Sequence, residues 1–253
     1  MEQGKILDIA IKAGTLLLRF GAETYRVEDT ITRICNSYGL TCEAFVLPTG
    51  IIVSVEGKNG ISSICKRISS RTVDLTRISY LNDLSRKIAR EAPEYDEVIK
   101  ELNRISELKR YSNSTIIACC ALTAFVFVTL FGGSFAEALT AFFIGAVLGL
   151  LRLVFSKSIS FPFIEYFAGG FVAGILSWLI NSFAPQINPY IIIIGAVLNM
   201  LPGVALTNGI RDLLHGDIVS GLARIGEALM VVAVIAAGTG IGLTLLFLGG
   251  AVR

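Results

Sequence analysis

Tyr166-Phe-Ala-Gly-Gly-Phe-Val-Ala-Gly-Ile-Leu-Ser-Trp-Leu-Ile180 opens a run of 45 residues, 166–210, that contains no Asp, Glu, Lys or Arg. A charge at the centre of a bilayer costs roughly 2.5–3.5 kcal/mol on insertion scales, so a segment that omits charge for this long is suited to lipid. The bias extends in both directions. Residues 1–113 carry 32 of the 42 charged residues, 17 basic and 15 acidic, whereas residues 114–253 carry only ten. A hydrophobic fraction of 53% and a mean hydropathy of +0.70 agree with a polar domain followed by a membrane domain. The expected fold class is an α+β cytoplasmic domain, residues 1–113, followed by an all-α membrane domain of five transmembrane helices, residues 114–253.

A span needs about 20 mostly apolar residues, and five segments qualify: Thr115–Phe131, Phe135–Leu151, Pro162–Ile180, Tyr190–Thr207 and Ala223–Leu248. Gly132-Gly133-Ser134 joins the first two as a tight helical hairpin. Residues 181–189, with two prolines, join the third and fourth. Basic residues mark one side of the bilayer: Arg104, Lys109 and Arg110, then Arg152 and Lys157, then Arg211 and Arg224. The loops near Gly133 and Pro185 have none, and only the terminal Arg253 dissents. The positive-inside bias therefore puts the N-terminus in the cytoplasm and, with five spans, the C-terminus outside. Met1-Glu-Gln-Gly-Lys5 leads into an amphipathic segment rather than a signal-peptide core.

Small residues crowd the spans: Gly145 and Gly149, Gly169, Gly170 and Gly174, Gly238, Gly240 and Gly242. Such spacing lets helix backbones approach closely where lipid removes the hydrophobic drive to associate. The segment richest in chemistry runs from Asn199 to Asp217. Pro202 removes a backbone donor and Gly203 adds freedom beside it. A helix broken at membrane depth frees backbone groups, which protein or a watery cavity must satisfy, and transporters build substrate sites from such breaks. Asn199, Thr207 and Asn208 supply polar groups nearby. Arg211 and Asp212 stand at the cytoplasmic end, and Arg224 and Glu227 sit at i, i+3 in the last span. The alternative reading is a proline kink with charges that only anchor the helix ends. Glu137, near the outer end of the second span, is either a proton site or a helix N-terminal charge. His215 has no ligand partners at metal spacing and reads as a loop residue.

In the polar half, Lys5–Phe20 has a wide apolar helical face ending at Gly21. Glu23–Tyr38 forms a second helix whose polar face carries Glu23, Arg26, Glu28, Asp29 and Arg33. Three β-like runs follow, Thr41–Leu47, Gly50–Val55 and Ile61–Ile68, the last two joined by the turn Glu56-Gly-Lys-Asn-Gly60. Helices over Leu75–Arg90 and Glu94–Leu108 lead to the membrane. Function classes narrow quickly. The only histidine lies in the membrane half, so no Ser/His/Asp triad is available, and there is neither a P-loop nor a G-x-G-x-x-G to drive ATP-dependent transport. Glu23, Glu28 and Asp29 fit a salt-bridged helix face better than a cation site, so no metal and no cofactor are expected. A net charge of +2 gives no reason to expect nucleic acid. The five cysteines lack a C-x-x-C pair and read as reduced thiols.

Several segments, in order, carry a resemblance: Gly21-Ala-Glu-Thr-Tyr-Arg-Val-Glu-Asp-Thr30, Pro48-Thr-Gly-Ile51, Pro202-Gly-Val-Ala-Leu-Thr-Asn-Gly-Ile-Arg-Asp212, Gly216-Asp217, Ser220-Gly-Leu-Ala-Arg224 and Glu227-Ala228. Together they resemble the threonine/serine exporter family. The resemblance implies secondary export of small polar metabolites, driven by the proton motive force, with threonine and serine or a succinate-type dicarboxylate as cargo. Long family members have about ten spans. Five spans look like the larger subunit of a split exporter, which implies a separate small membrane subunit as partner and an oligomer. On this reading Pro202 and Gly203 break the helix, and Asn199, Thr207 and Asn208 line the path. The Arg211/Asp212 and Arg224/Glu227 pairs contact cargo or gate the cytoplasmic mouth, and Glu23, Arg26, Glu28 and Asp29 dock against it. Other classes stay open at this stage: a passive channel or scaffold, or a membrane-tethered enzyme or sensor.

Overall fold

The structure is a computed structural model that describes residues 1–57, 60–109, 111–158 and 162–248. Lys58 and Asn59 of the expected hairpin turn, and Arg110 and Arg253 of the orientation count, lie outside the described residues. The chain divides into two compact units, residues 1–109 with 203–226, and residues 110–202 with 227–253.

In the first unit, helix α1 (Gln3–Arg19) buries Ile6, Leu7, Ile9, Ala10, Ala13, Leu16, Leu17 and Leu18, which leaves little of its circumference polar. A helix apolar on nearly all sides must be enclosed. Helix α2 (Thr24–Ser37) packs on it through Val27, Ile31 and Ile34. Gly21, at φ +89°, ends α1 in the left-handed region that a side chain would strain. Strands β1 (Cys42–Leu47), β2 (Gly50–Gly57) and β3 (Gly60–Arg67) form an antiparallel meander in that order. Its register pairs Val46 with Ile51 and Ile52 with Cys65. Alternation sends Val46, Ile51, Val53 and Val55 into the core.

Helix α3 (Leu75–Glu91) is N-capped by Asp74, whose carboxylate accepts from the Arg77 N–H at 3.0 Å. The buried Arg77 guanidinium donates to the carbonyls of Ile105 and Leu108 and so satisfies the last turn of α4 (Tyr95–Ser106). The unit is completed by α9 (Gly203–Leu214) and the first part of α10 (Ile218–Leu248), joined through Gly216 at φ +92°.

The second unit holds α5 (Asn113–Leu130), α6 (Phe135–Ser158), α7 (Pro162–Phe183), α8 (Pro189–Val197) and the rest of α10. Among the described residues four helices, α5, α6, α7 and α10, are long and apolar enough to cross a membrane, and the pair α8–α9 makes a fifth if counted as one broken span. Three helices outrun their expected ends: α6 continues to Ser158, α7 to Phe183, and α10 begins at Ile218. A span is bounded by where apolar side chains stop, whereas a helix continues until its backbone is capped.

The core here interleaves the small residues Ala124, Ala138, Ala141, Ala173 and Ala196 with larger ones such as Ile144, Leu148 and Ile192. Glycines allow the approach. A Cβ on Gly170 would lie 2.4 Å from the Ile235 carbonyl oxygen, and one on Gly238 would lie 2.2 Å from that of Phe167. Helices α7 and α10 therefore touch backbone to backbone through glycines contributed by both, as packing in lipid requires.

Candidate functional site

The structure gathers two sequence segments that share no local relationship. In the first unit the start of α2 meets α9 and the start of α10. Asp212 on α9 is fully buried. Its Oδ1 accepts from the Thr24 N–H at 2.9 Å and its Oδ2 from the Thr24 hydroxyl at 3.2 Å, across 188 residues. Glu23 occupies the N-cap of α2 but makes no side-chain cap bond, so a carboxylate from a distant helix satisfies an amide at the positive end of α2. Arg224 on α10 faces the same carboxylate, Nε to Oδ2 at 3.0 Å, and donates through Nη2 to the Ala22 carbonyl at 2.7 Å. Asn208, buried, donates to the Gly21 carbonyl at 2.8 Å. The turn between α1 and α2 is thus held at residues 21, 22 and 24 by α9 and α10.

Two glycines set the spacing of α9 and α10. A Cβ on Gly221 would lie 2.7 Å from the Gly209 carbonyl oxygen, and one on Gly209 would lie 3.1 Å from that of Gly221. Only with both positions bare do the helices approach closely enough for the Asp212 and Arg224 side chains to meet where α2 begins.

A more open shell surrounds this buried pair. Arg211 donates from Nη1 to Glu23 Oε1 at 2.7 Å, with the Arg211 side chain 52% exposed against 6% for Glu23. Arg26 approaches Glu23 Oε2 at 3.5 Å. Burial alone would raise the Glu23 carboxyl, but its backbone hydrogen bond, the Arg211 contact and the Arg26 charge together hold it below the ordinary value. Glu28 accepts from the Val46 N–H at 2.9 Å, and burial, reinforced by the Asp217 and Asp212 charges, raises its carboxyl. Asp29 pairs with Arg33 on the exposed face. The His215 ring lies on that of Tyr25, centroids 3.9 Å apart and planes 2° from parallel.

These contacts revise the expected pairings. Arg211 pairs with Glu23 rather than with its neighbour Asp212, because adjacent helical residues point about 100° apart, and Asp212 takes Arg224 as its counter-ion. Reading His215 as an ordinary loop residue missed its stacking partner, which is remote in sequence. Of the docking residues, Glu23 and Arg26 reach this cluster, Glu28 bonds to β1, and Asp29 faces outward. Thr207 is exposed and returns its hydroxyl to the Gly203 carbonyl at 2.9 Å.

Asn199, Pro202 and Glu227 belong to the second unit. Helix α8 passes into a single 3-10 turn at Leu198–Met200, Leu201 is extended at φ −66° and ψ 138°, and helix resumes only at Gly203. A residue before proline is pushed out of the α region, so Pro202 dictates where the helix stops. Asn199 donates to the Cys120 sulfur at 2.9 Å. Glu227 is exposed.

Glu137 is buried, and its two oxygens accept three hydrogen bonds. Oε2 takes the Ser134 N–H at 2.6 Å and its hydroxyl at 2.9 Å, and Oε1 takes the Asn188 N–H at 2.7 Å. Ser134 Oγ accepts in return from the Glu137 N–H at 3.3 Å, which completes the S-x-x-E capping box readable at Ser134-Phe-Ala-Glu137. Arg152 and Glu165, at 3.9 Å, bring α6 and α7 together. Among the described residues no three His, Cys, Asp or Glu side chains converge as metal ligands.

Among the described residues, several long apolar helices, with a helix break at Leu201–Pro202, mark a multi-pass membrane protein. The chain belongs to the ThrE threonine/serine exporter family, whose model it matches over residues 8–246. A probable succinate transporter subunit, YjjP, of Klebsiella aerogenes is 26% identical over 225 residues, which cover 88% of this chain and 87% of that protein. Its Escherichia coli namesake is 24% identical, with 98% of each chain covered. A probable threonine/serine exporter of Mycobacterium tuberculosis is 24% identical over 92% of this chain, but this chain spans only 45% of that protein's length. No solved structure is significantly similar to it.

Proposed function

We propose that the chain is one subunit of a secondary exporter that moves a small carboxylate-bearing metabolite outward across the cytoplasmic membrane at the expense of the proton motive force. Its N-terminal domain lies in the cytoplasm, and a separate small membrane protein completes the translocation unit. The observation that carries this reading is the helix interruption from Leu198 to Pro202. It falls inside an uncharged run, where freed backbone groups and the Asn199 amide can serve a polar cargo. Names and lengths of relatives support the subunit reading, since the chain covers nearly all of two proteins named as transporter subunits.

Within this scheme Arg211 is the cargo-facing cation. It is half exposed, and its present partner is a carboxylate, Glu23, so an incoming carboxylate can take the place of Glu23 through the same charge-assisted bonds. Asp212 and Arg224 are buried against each other and hold the turn at residues 21–24 in position. Glu23 and Arg26 then form the gate that cargo displaces, with Glu28 and Asp29 supporting α2. Glu227 and Glu137 are the acids to test for proton coupling. Threonine or serine would use Arg211 together with an acceptor for its ammonium, and a succinate-type dicarboxylate would use the arginine alone.

The test is efflux of labelled threonine, serine and succinate from preloaded cells expressing the chain alone and with its small partner, with and without a protonophore. Protonophore-sensitive efflux only on co-expression supports the scheme, and the label that moves names the cargo. Efflux unaffected by the protonophore would point instead to a channel, and no efflux of any label would remove the transport reading.

A further inference from the structure

The three-stranded sheet has two edges, and they are treated differently. At the β1 edge the Val46 N–H is taken by the Glu28 carboxylate. At the other edge β3 pairs with β2 on one side and, among the described residues, with no strand on the other. All residues from Ile61 to Arg67 are exposed. Natural edge strands are usually short or interrupted by charge, proline or a bulge. β3 is eight residues long, its register with β2 is uninterrupted, and Ile61-Ser-Ser-Ile-Cys65 carries no charge.

The outer face of the sheet leads apolar surface to this edge. Register places Phe45, Ile52 and Cys65 in one row across the three strands, with Phe45 57% and Ile52 41% exposed; Ile61, on the same face two residues from Ser63, is 78% exposed. Charge marks the two ends of the strand with opposite sign. Glu56 stands beside Ile61 at one end, and Lys66 and Arg67 close the other.

We infer that β3 is a docking edge for a second copy of this chain, the two β3 strands pairing antiparallel about a two-fold axis at Ser63 to make one six-stranded sheet. An antiparallel, isologous pairing is what the strand's chemistry fits. It brings the Lys66–Arg67 end of each copy to the Glu56 end of the other, whereas a parallel pairing would superpose like charges. Centring on Ser63 keeps paired side chains on the same face and sets Cys65 opposite Ile61 of the second copy. The apolar row then continues through Phe45, Ile52, Cys65 and that Ile61. The paired strand also supplies partners for the outward N–H and C=O groups of β3.

The register gives a position-specific test in the full chain, purified in detergent. Ile61→Cys introduces a thiol opposite the native Cys65 of the second copy, while within one chain the two positions are four residues apart along the strand, about 13 Å, too far to bridge. Mild oxidation should convert the variant into a covalent dimer, with Ile61→Cys/Cys65→Ser and wild type remaining monomeric on a non-reducing gel. Ile61 is largely exposed, so the substitution leaves the core untouched. A variant that stays monomeric, a dimer that survives in the double variant, or a cross-link to a protein other than this chain would each overturn the proposal.

Discussion

Replacing Asp212 with Asn keeps the shape of the side chain and removes its charge. The carboxylate is fully buried, accepts twice from Thr24 and faces Arg224 at 3.0 Å. An asparagine oxygen can still accept from the Thr24 N–H. Its NH2 group cannot accept from the Thr24 hydroxyl, and the Arg224 guanidinium loses its counter-charge. Removing one member of a buried ion pair destabilises by about 3–5 kcal/mol. At about 2–4 °C per kcal/mol for a protein of this size, the melting temperature in detergent should fall by roughly 6–20 °C. Thr24→Val, which removes one hydroxyl donor, should cost only about 1 kcal/mol. Decisive information comes from the double variant Asp212→Asn/Arg224→Gln. With both charges gone there is no orphaned cation, so part of the loss should return, with a coupling of about 1–3 kcal/mol. If Asp212→Asn melted within a degree or two of wild type, or if the double variant were simply the sum of the two single ones, the cluster would not be the lock described here.

Other expectations concern separate features. Gly170→Ala and Gly238→Ala should each destabilise by about 1–3 kcal/mol through overpacking, because the added Cβ meets a backbone oxygen. Gly240→Ala meets open space and should be neutral or stabilising in the same thermal assay. Glu23 and Glu28 should titrate stability with opposite signs. The Glu23 carboxyl is held low, so its contribution is present above the ordinary carboxyl value near 4.5 and lost as pH falls. The Glu28 carboxyl is raised, so its contribution is complete below that value and lost as pH rises. Melting curves from pH 4 to 8 for Glu23→Gln and Glu28→Gln should therefore diverge in slope, with Glu28→Gln gaining relative to wild type toward neutral pH. Glu137→Gln keeps an acceptor for Asn188 or Ser134 but not the full set, and should lose about 1–3 kcal/mol. If it also abolishes efflux while remaining folded in the membrane at the assay temperature, the carboxyl carries protons as well as capping.

Much of the fold could be read directly from residue order. Uncharged runs locate α5, α6, α7 and α10, the wide apolar face of residues 5–20 locates α1, and Pro202 marks the interruption because its chemistry forbids a continuous helix there. Helix ends were less legible: α6 runs past Arg152 and Lys157 to Ser158 because charge ends a span without ending a helix. The capping box at Ser134 was readable, but the Asn188 amide on the same carboxylate was not, since it arrives from another loop. Pairing in the cluster was the least legible feature. Sequence offers only near neighbours such as Arg224 and Glu227, whereas Asp212 bonds to Thr24 across 188 residues. One signal did exist: the motif-bearing segments 21–30 and 202–224 both carry charges of both signs, and 202–224 adds Gly203, Gly209, Gly216 and Gly221, a composition suited to close helix contact and internal neutralisation rather than to solvent.

Transport itself is the claim on which the rest depends, and proteoliposomes test it most directly. The chain should be reconstituted, alone and with the small membrane subunit proposed above, under an imposed pH gradient and supplied with labelled threonine, serine or succinate. The account expects at least one label to move at a rate that collapses with a protonophore and falls at least tenfold in Arg211→Ala. Movement no faster than in protein-free vesicles, or movement indifferent to both the gradient and Arg211, would contradict it.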